Sequence, residues 1–365
     1  MKILYVCTST ERGGAEKALQ ALVLAARAAG HQVRVLSLRP AGAVARALQK
    51  EGIDTLSFEV TDKSSPVQAA GALARLVKEI QTFQPDIVHG FLYRAIQLCR
   101  QAKKYANFKL VTTPHYDLSK KNYFLRLWDR SLKNADDASC AESQQTADFL
   151  REKQKYPKVY LICNGVNSAY FIPDAQARAN ERKKLGFLPE NTVFCCVARL
   201  AKEKNQEILL HAFAFVHAKN PSVRLLFVGD GAEQKRLLHL IRQNNLEKEV
   251  VWVGEVPDVK PYLQAADVFV LPSKTESLPL ALLEACACEL PAIVSKAGDM
   301  PQVVRHGETG FVFNGTDAVL LSALMAELVE NTALRQKMGQ NARTRMIKKY
   351  PPAESKYLEL YTKIK

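Results

Sequence analysis

The sequence has no apolar run approaching the ~20 residues that a membrane-spanning helix needs. It has no small-residue cleavage site after Met1, which leads straight into the strand-like run Lys2-Ile-Leu-Tyr-Val-Cys7. A cytoplasmic protein is expected. Its eight cysteines include no C-x-x-C pair, so neither a zinc site nor a redox dithiol is supported. Cys7, Cys163, Cys195, Cys196, Cys286 and Cys288 lie in apolar strand or helix patterns and read as small buried hydrophobes. No G-x-G-x-x-G is present, so a dinucleotide fingerprint is not supported. No D-x-D-type acidic cluster is present either, so no metal is expected. Acidic residues are short in supply, 37 against 51 Lys and Arg, for a net charge of +14. Most of that surplus lies in residues 1–180, with 26 basic and 16 acidic residues. Phosphorylated small molecules, anionic membrane and nucleic acid are all attracted to such a field. The basic residues are not interleaved with a nucleic-acid-binding module, so no nucleic-acid partner is expected.

At 365 residues, 47% of them apolar and 24% charged, the chain is a soluble-type sequence long enough for two domains. Short apolar runs alternate with helical patterns. Ile3–Cys7, Val33–Leu38, Ile87–His89 and Leu110–Thr113 read as buried parallel strands, with helices over Glu16–Ala29, Ala43–Lys50 and Ala69–Thr82 between them. The pattern restarts with Thr192–Val197, Val223–Gly229, Val250–Val253, Val268–Leu271 and Ala292–Ser295. This predicts an α/β protein of two doubly wound Rossmann-like domains facing across a cleft, over residues 1–167 and 168–350. Tyr357, Leu358, Leu360 and Tyr361 recur at helical spacing in 351–365, which predicts a helix packing back on the first domain.

The stretch Glu276-Ser-Leu-Pro-Leu-Ala-Leu-Leu-Glu284 holds two carboxylates separated by seven uncharged, mostly apolar residues. Pro279 suits the first helical position, and the amides of that first turn suit a phosphate. Ser277, Leu278, Pro279 and Leu280 would form that cradle. Arg199 and Lys204 follow the strand that opens the second domain, where a guanidinium fork and an ammonium can close on one diphosphate. Solvated surface charge is the competing account. Gly13-Gly14 after the first strand allows close backbone approach; an ordinary tight turn explains it too. Gly229 and Gly254 end strands of the second half and fit a nucleotide contact or a plain turn equally. His115, in Thr112-Thr-Pro-His115-Tyr-Asp117, and His89 each end a strand in the first half. Finally, Lys120–Lys133 mixes Lys and Arg with Tyr123, Phe124, Leu125, Leu127, Trp128 and Leu132. It reads as an interfacial helix on anionic membrane, or as a helix packing its apolar stripe inward.

In this order the motifs resemble glycosyltransferase family 4, the retaining nucleotide-sugar transferases of GT-B fold. The resemblance runs from Gly13-Gly14-Ala-Glu16 through Gly30-His31-Gln-Val33, Asn164-Gly-Val, Arg199…Lys204 and Glu276…Glu284 to Gly307-Glu-Thr-Gly310-Phe. It implies that Arg199 and Lys204 neutralise the diphosphate and that Glu284 binds the ribose. It also implies that Glu276 and His115 contact the donor sugar, and that amides of Ser277–Leu280 hold sugar and phosphate. Gly13 and Gly14 would let the first domain close over the phosphates. The implied reaction is metal-independent and needs no cofactor, because the nucleotide sugar, of UDP type first, is itself a substrate. A hexose or N-acetylhexosamine would pass with retention to a saccharide acceptor, lipid-linked in glycan or glycoconjugate synthesis of bacterial type. Such a protein would sit peripherally on the cytoplasmic face of the membrane. Departures fall at Ser277-Leu278, where Gly-Phe is common, and at Glu289, where a glycine usually ends the helix. Others are Gln302 for a glutamate, Phe91 for a second histidine, and Tyr116 between the usual His and Asp. A nucleotide-sugar epimerase of the same fold and a non-catalytic nucleotide-sugar binding protein remain as alternative readings.

Overall fold

Branched and aliphatic runs such as Ile3-Leu-Tyr-Val-Cys7 are apolar on both faces, which suits parallel strands covered by helices on each side. The computed structural model of the chain describes residues 1–60, 66–115 and 122–365, with 66–70 as backbone. Its contacts divide it into one unit of residues 1–164 with 353–365 and another of residues 165–352.

The first unit is a seven-stranded, all-parallel sheet: β1 (Lys2–Cys7), β2 (Gln32–Ser37), β3 (Asp54–Ser57), β4 (Ile87–Phe91), β5 (Lys109–Thr113), β6 (Ala138–Ala141) and β7 (Val159–Leu161). Its order is β3-β2-β1-β4-β5-β6-β7. Ile3, Tyr5 and Cys7 pack into one core cluster and Leu4 and Val6 into another, so β1 is buried on both faces. The helix Gly14–Ala28 covers one face, and the helices Pro66–Phe83 and Tyr93–Ala102 cover the other. The helix Glu354–Ile364 packs beside Gly14–Ala28, with Tyr357, Leu360 and Tyr361 buried in the same cluster.

The second unit repeats the design with six parallel strands: β8 (Thr192–Val197), β9 (Val223–Val228), β10 (Val250–Trp252), β11 (Val268–Leu271), β12 (Ala292–Ser295) and β13 (Gly310–Phe313), in the order β10-β9-β8-β11-β12-β13. In each sheet the winding direction reverses once, between β1 and β4 and between β8 and β11. Ligands of open parallel sheets bind outside the carboxyl ends of the strands at such reversals.

Candidate functional site

The sequence-predicted residues fall into two groups, one on each unit, in the segments after carboxyl ends of strands. The exception is His89, which lies inside β4 and not at its end, because Gly90 and Phe91 continue the pairing with β1 and β5. In the second unit the group forms around the β8/β11 reversal. Arg199 and Lys204 follow β8, and the loop 272–279 follows β11. Lys204 Nζ lies 2.6 Å from Glu276 Oε1, which also accepts from Ser273 Oγ at 2.7 Å. Lys204 is 20% exposed and Glu276 8%. This ion pair therefore bridges the two strands flanking the reversal. Asn205 adds a second link, donating through Nδ2 to the carbonyls of Pro272 at 3.3 Å and Gly315 at 2.9 Å. Arg199 stands differently. It is 71% exposed and pairs with Glu203 at 2.7 Å.

The helix after the loop spans Leu280–Ala287, with Glu284 buried on it. Pro279 is its N-cap and not its first residue, with φ −72° and ψ 125°. The extended ψ is what an N-cap adopts, and the ring's fixed φ suits either position. Of the expected cradle residues, Ser277 and Leu278 precede the helix, Pro279 has no N–H to offer, and Leu280 is the first helical residue, while the Leu282 amide donates to the Pro279 carbonyl at 3.2 Å. Leu278 is buried. Gly229 and Gly254 meet through the Gly229 amide on the Gly254 carbonyl at 2.8 Å, and Trp252 Nε1 donates to the Gly229 carbonyl at 2.8 Å. A Cβ on Gly229 would lie 2.1 Å from the Ala198 carbonyl oxygen, so this glycine lets the β8 and β9 turns touch.

Four supporting residues escaped the sequence reading. Ser273 and Glu203 hold Glu276 and Arg199. Gly298, at φ 54°, would place a Cβ 2.4 Å from the Glu276 carbonyl, and Asp299 donates its amide to the Ser277 carbonyl at 2.9 Å. The signal was a glycine three residues past a strand, too common to single out.

In the first unit Gly13 caps the helix Gly14–Ala28, and Gly14 is its exposed first residue. Thr8 Oγ1 accepts from the Ala95 amide at 3.2 Å, joining the loop after β1 to the helix after β4. His115 follows β5 with φ 48°, its half-buried ring stacked on Phe91 at 5.5 Å and 14° between planes. Desolvation pushes its imidazole pKa down to about 4. His89 is fully buried, and Tyr116 and Asp117 lie outside the described residues.

The segment expected at a membrane is helical over Tyr123–Leu132; Lys120 and Lys121 lie outside the described residues. Its polarity is inverted. The buried residue is Asp129, held by Arg100 Nη1 and Gln97 Nε2 at 2.8 Å each and by the Tyr156 hydroxyl. Arg100 in turn forks onto Asp136 at 2.8 and 2.7 Å. Tyr123, Phe124, Leu127 and Trp128 face outward, 62%, 79%, 44% and 52% exposed. Among the described residues no His/Cys/Asp/Glu group could hold a metal ion, and no helix is long and apolar enough to cross a membrane.

Comparison with known proteins covers nearly the whole chain. A model of Glycosyltransferase Family 4 matches residues 12–170, and one of Glycosyl transferases group 1 matches residues 177–345. A putative glycosyltransferase of Bacillus subtilis, EpsD, is 28% identical over 84% of this chain and 87% of its own length. A GDP-mannose-dependent monoacylated α-(1-6)-phosphatidylinositol monomannoside mannosyltransferase of Corynebacterium glutamicum is 33% identical over 52% of this chain and 51% of its own. Among solved structures, HepE of Anabaena in complex with UDP and glucose matches with a TM-score of 0.89, 23% identity and full coverage of both chains. The fold is that of the GT-B glycosyltransferases.

Proposed function

The chain belongs to glycosyltransferase family 4, and on that premise we propose that it moves a hexose or N-acetylhexosamine from a UDP-sugar to a lipid-linked saccharide, with retention and without a metal. The observation that carries this reading is the meeting of the Arg199–Lys204 loop with the 272–280 loop at the β8/β11 reversal. One positively charged turn and one amide-rich helix start there answer a diphosphate.

Charge builds on the leaving phosphate as the bond to the anomeric carbon breaks. Arg199, Lys204 and the amides of Ser277, Leu278 and Leu280 stabilise it electrostatically. Glu284 takes the ribose hydroxyls, and Glu276, steadied by Lys204 and Ser273, takes a sugar hydroxyl. His115, neutral near pH 7 because burial disfavours its cation, hydrogen-bonds the sugar. Gly13 and Gly14 admit substrate close to the backbone, and Gly229 and Gly254 shape the nucleotide end. The acceptor hydroxyl attacks from the face the diphosphate leaves and gives its proton to the departing phosphate oxygen. A UDP donor is favoured because HepE was solved with UDP; GDP-mannose, named for the Corynebacterium relative, is the competitor. A thermal-shift screen of UDP- and GDP-sugars tests the donor. One sugar nucleotide is expected to stabilise the wild type and not Glu284→Ala. No shift with any of them would sink the reading.

The acceptor assignment rests on the inverted helix. Arg130, Arg151, Lys153, Lys155 and Lys158 are all exposed in and near it. Aromatic side chains beside exposed cations suit an anionic bilayer, whereas a second copy would oppose cation to cation. Sedimentation with anionic but not neutral vesicles, lost in Phe124→Ser/Trp128→Ser, is the expected result. Equal recovery in the supernatant with both vesicle types would refute it.

A further inference from the structure

We propose that the helix Glu354–Ile364 positions His115 for transfer: Tyr361 holds His89, and His89 fixes both the end of β5 and the Phe91 ring against which His115 stacks. The link to the reaction rests on the role given to His115 above; the positioning rests on geometry alone.

His89 is 0% exposed. Its Nδ1 lies 2.6 Å from the Tyr361 hydroxyl and its Nε2 2.8 Å from Thr113 Oγ1. A neutral imidazole has one donor and one acceptor nitrogen. Burial, with His115 as a second cause, holds its pKa well below the ordinary value, so both nitrogens are used and neither is charged. Thr113 ends β5 two residues before His115, and the Tyr357 hydroxyl also reaches its Oγ1 at 3.5 Å. Two tyrosines of one helix therefore converge on the strand end that carries His115.

A second route runs through the rings. His89 and Phe91 centroids are 4.2 Å apart, and Phe91 lies nearly parallel to His115. His115 itself sits at φ 48°, a left-handed conformation that is unfavourable for a non-glycine residue. Such a conformation persists where surrounding contacts over-determine it. Packing alone does not require this polar chain. A phenylalanine at 361 and an aliphatic residue at 89 would fill the same apolar cluster without burying three hydrogen-bonding groups.

The test uses the full chain labelled with ¹³C at histidine Cε1. In the wild type the His115 signal should be sharp and displaced upfield by the Phe91 ring. Tyr361→Phe, and separately Phe91→Leu, should move and broaden it, whereas Phe91→Tyr should preserve it. Leu358→Ala, a packing change on the same helix, should lower the unfolding midpoint and leave the signal in place. Turnover, followed as UDP release from UDP-glucose, should fall about tenfold in Tyr361→Phe and Phe91→Leu with KM little changed, as expected for a displaced reacting group. A His115 signal unmoved in both variants overturns the proposal, as does wild-type turnover in variants whose signal has moved. The spectrum needs no donor, so it reads the clamp separately. Full turnover in His115→Ala would instead remove the role of His115 itself.

Discussion

Gly14 stands exposed at the start of its helix, and a Cβ there would meet nothing within 4 Å. Alanine at a helical position is favoured over glycine by up to about 1 kcal/mol. The fold therefore gains nothing from glycine here, and the proposed close approach of substrate to the backbone can be tested at this position. Gly14→Ala is expected to leave the unfolding midpoint equal or higher while cutting turnover at least about tenfold. Full activity in that variant would return Gly14 to an ordinary turn. Arg199 and Lys204, read from the sequence as an equivalent pair, should separate. Arg199 is on the surface, so Arg199→Ala should cost less than about 1 kcal/mol of stability. Lys204→Ala leaves the nearly buried Glu276 with Ser273 but without its cationic partner and should cost on the order of 3 kcal/mol. Each should weaken UDP binding about tenfold or more, as loss of a charge-assisted hydrogen bond does. Urea melts with and without UDP check both halves of this prediction. The 72-residue gap between Lys204 and Glu276 is why their pairing was invisible in the sequence. Each belongs to a separate strand turn, and only the sheet order β8-β11 makes them neighbours.

At the scale of the element, the helix Leu280–Ala287 ends in a Schellman motif. The Leu290 amide donates to the Ala285 carbonyl and the Glu289 amide to that of Cys286, with Glu289 at φ 64°. The sequence places a non-glycine at this stop, and the positive φ is unfavourable for it. Glu289→Gly should relieve about 1 kcal/mol, less the long 3.8 Å contact with Arg343. A rise in the unfolding midpoint with unchanged UDP binding is expected; a fall would mean that the Arg343 contact outweighs the backbone term. The strands read from the sequence had strong apolar runs, although β13, Gly310-Phe-Val-Phe313, has one and was not among them. β8, β11 and β12 have the expected bounds, and β9 and β10 each stop one residue sooner. β3, Asp54-Thr-Leu-Ser57, escaped because it is a half-polar edge strand. β6, Ala138-Ser-Cys-Ala141, is built of small residues, and β7 has three residues in all. Such segments become strands through the neighbours they pair with, and their own pattern does not announce it. The helix Tyr123–Leu132 shows the same limit from the other side. Its apolar stripe was legible, but the buried face is set by Arg100, a residue from a different helix.

For the whole molecule, acid should act unevenly. His89 and His115 belong to the first unit, and both are held neutral below the ordinary imidazole pKa. The unfolded chain therefore binds more protons than the folded one below about pH 6.5. Stability from His115 is complete above that value and falls progressively as pH drops toward about 4. Hydrogen exchange at pH 7 and pH 5 should show protection falling in β4 and β5 before β8 and β11. Equal losses in both units would contradict it. The first unit has a further peculiarity, in the order in which its parts are made. Residues 165–352 are synthesised before the helix Glu354–Ile364 that completes it. Until that helix emerges, His89 has no hydroxyl for Nδ1, and the β1–β4 face lacks Tyr357, Leu360 and Tyr361. Domains usually fold in turn as they leave the ribosome. Here the second-made unit is the first to have all its parts, and the earlier-made unit keeps part of its apolar face uncovered until the last helix has left the ribosome.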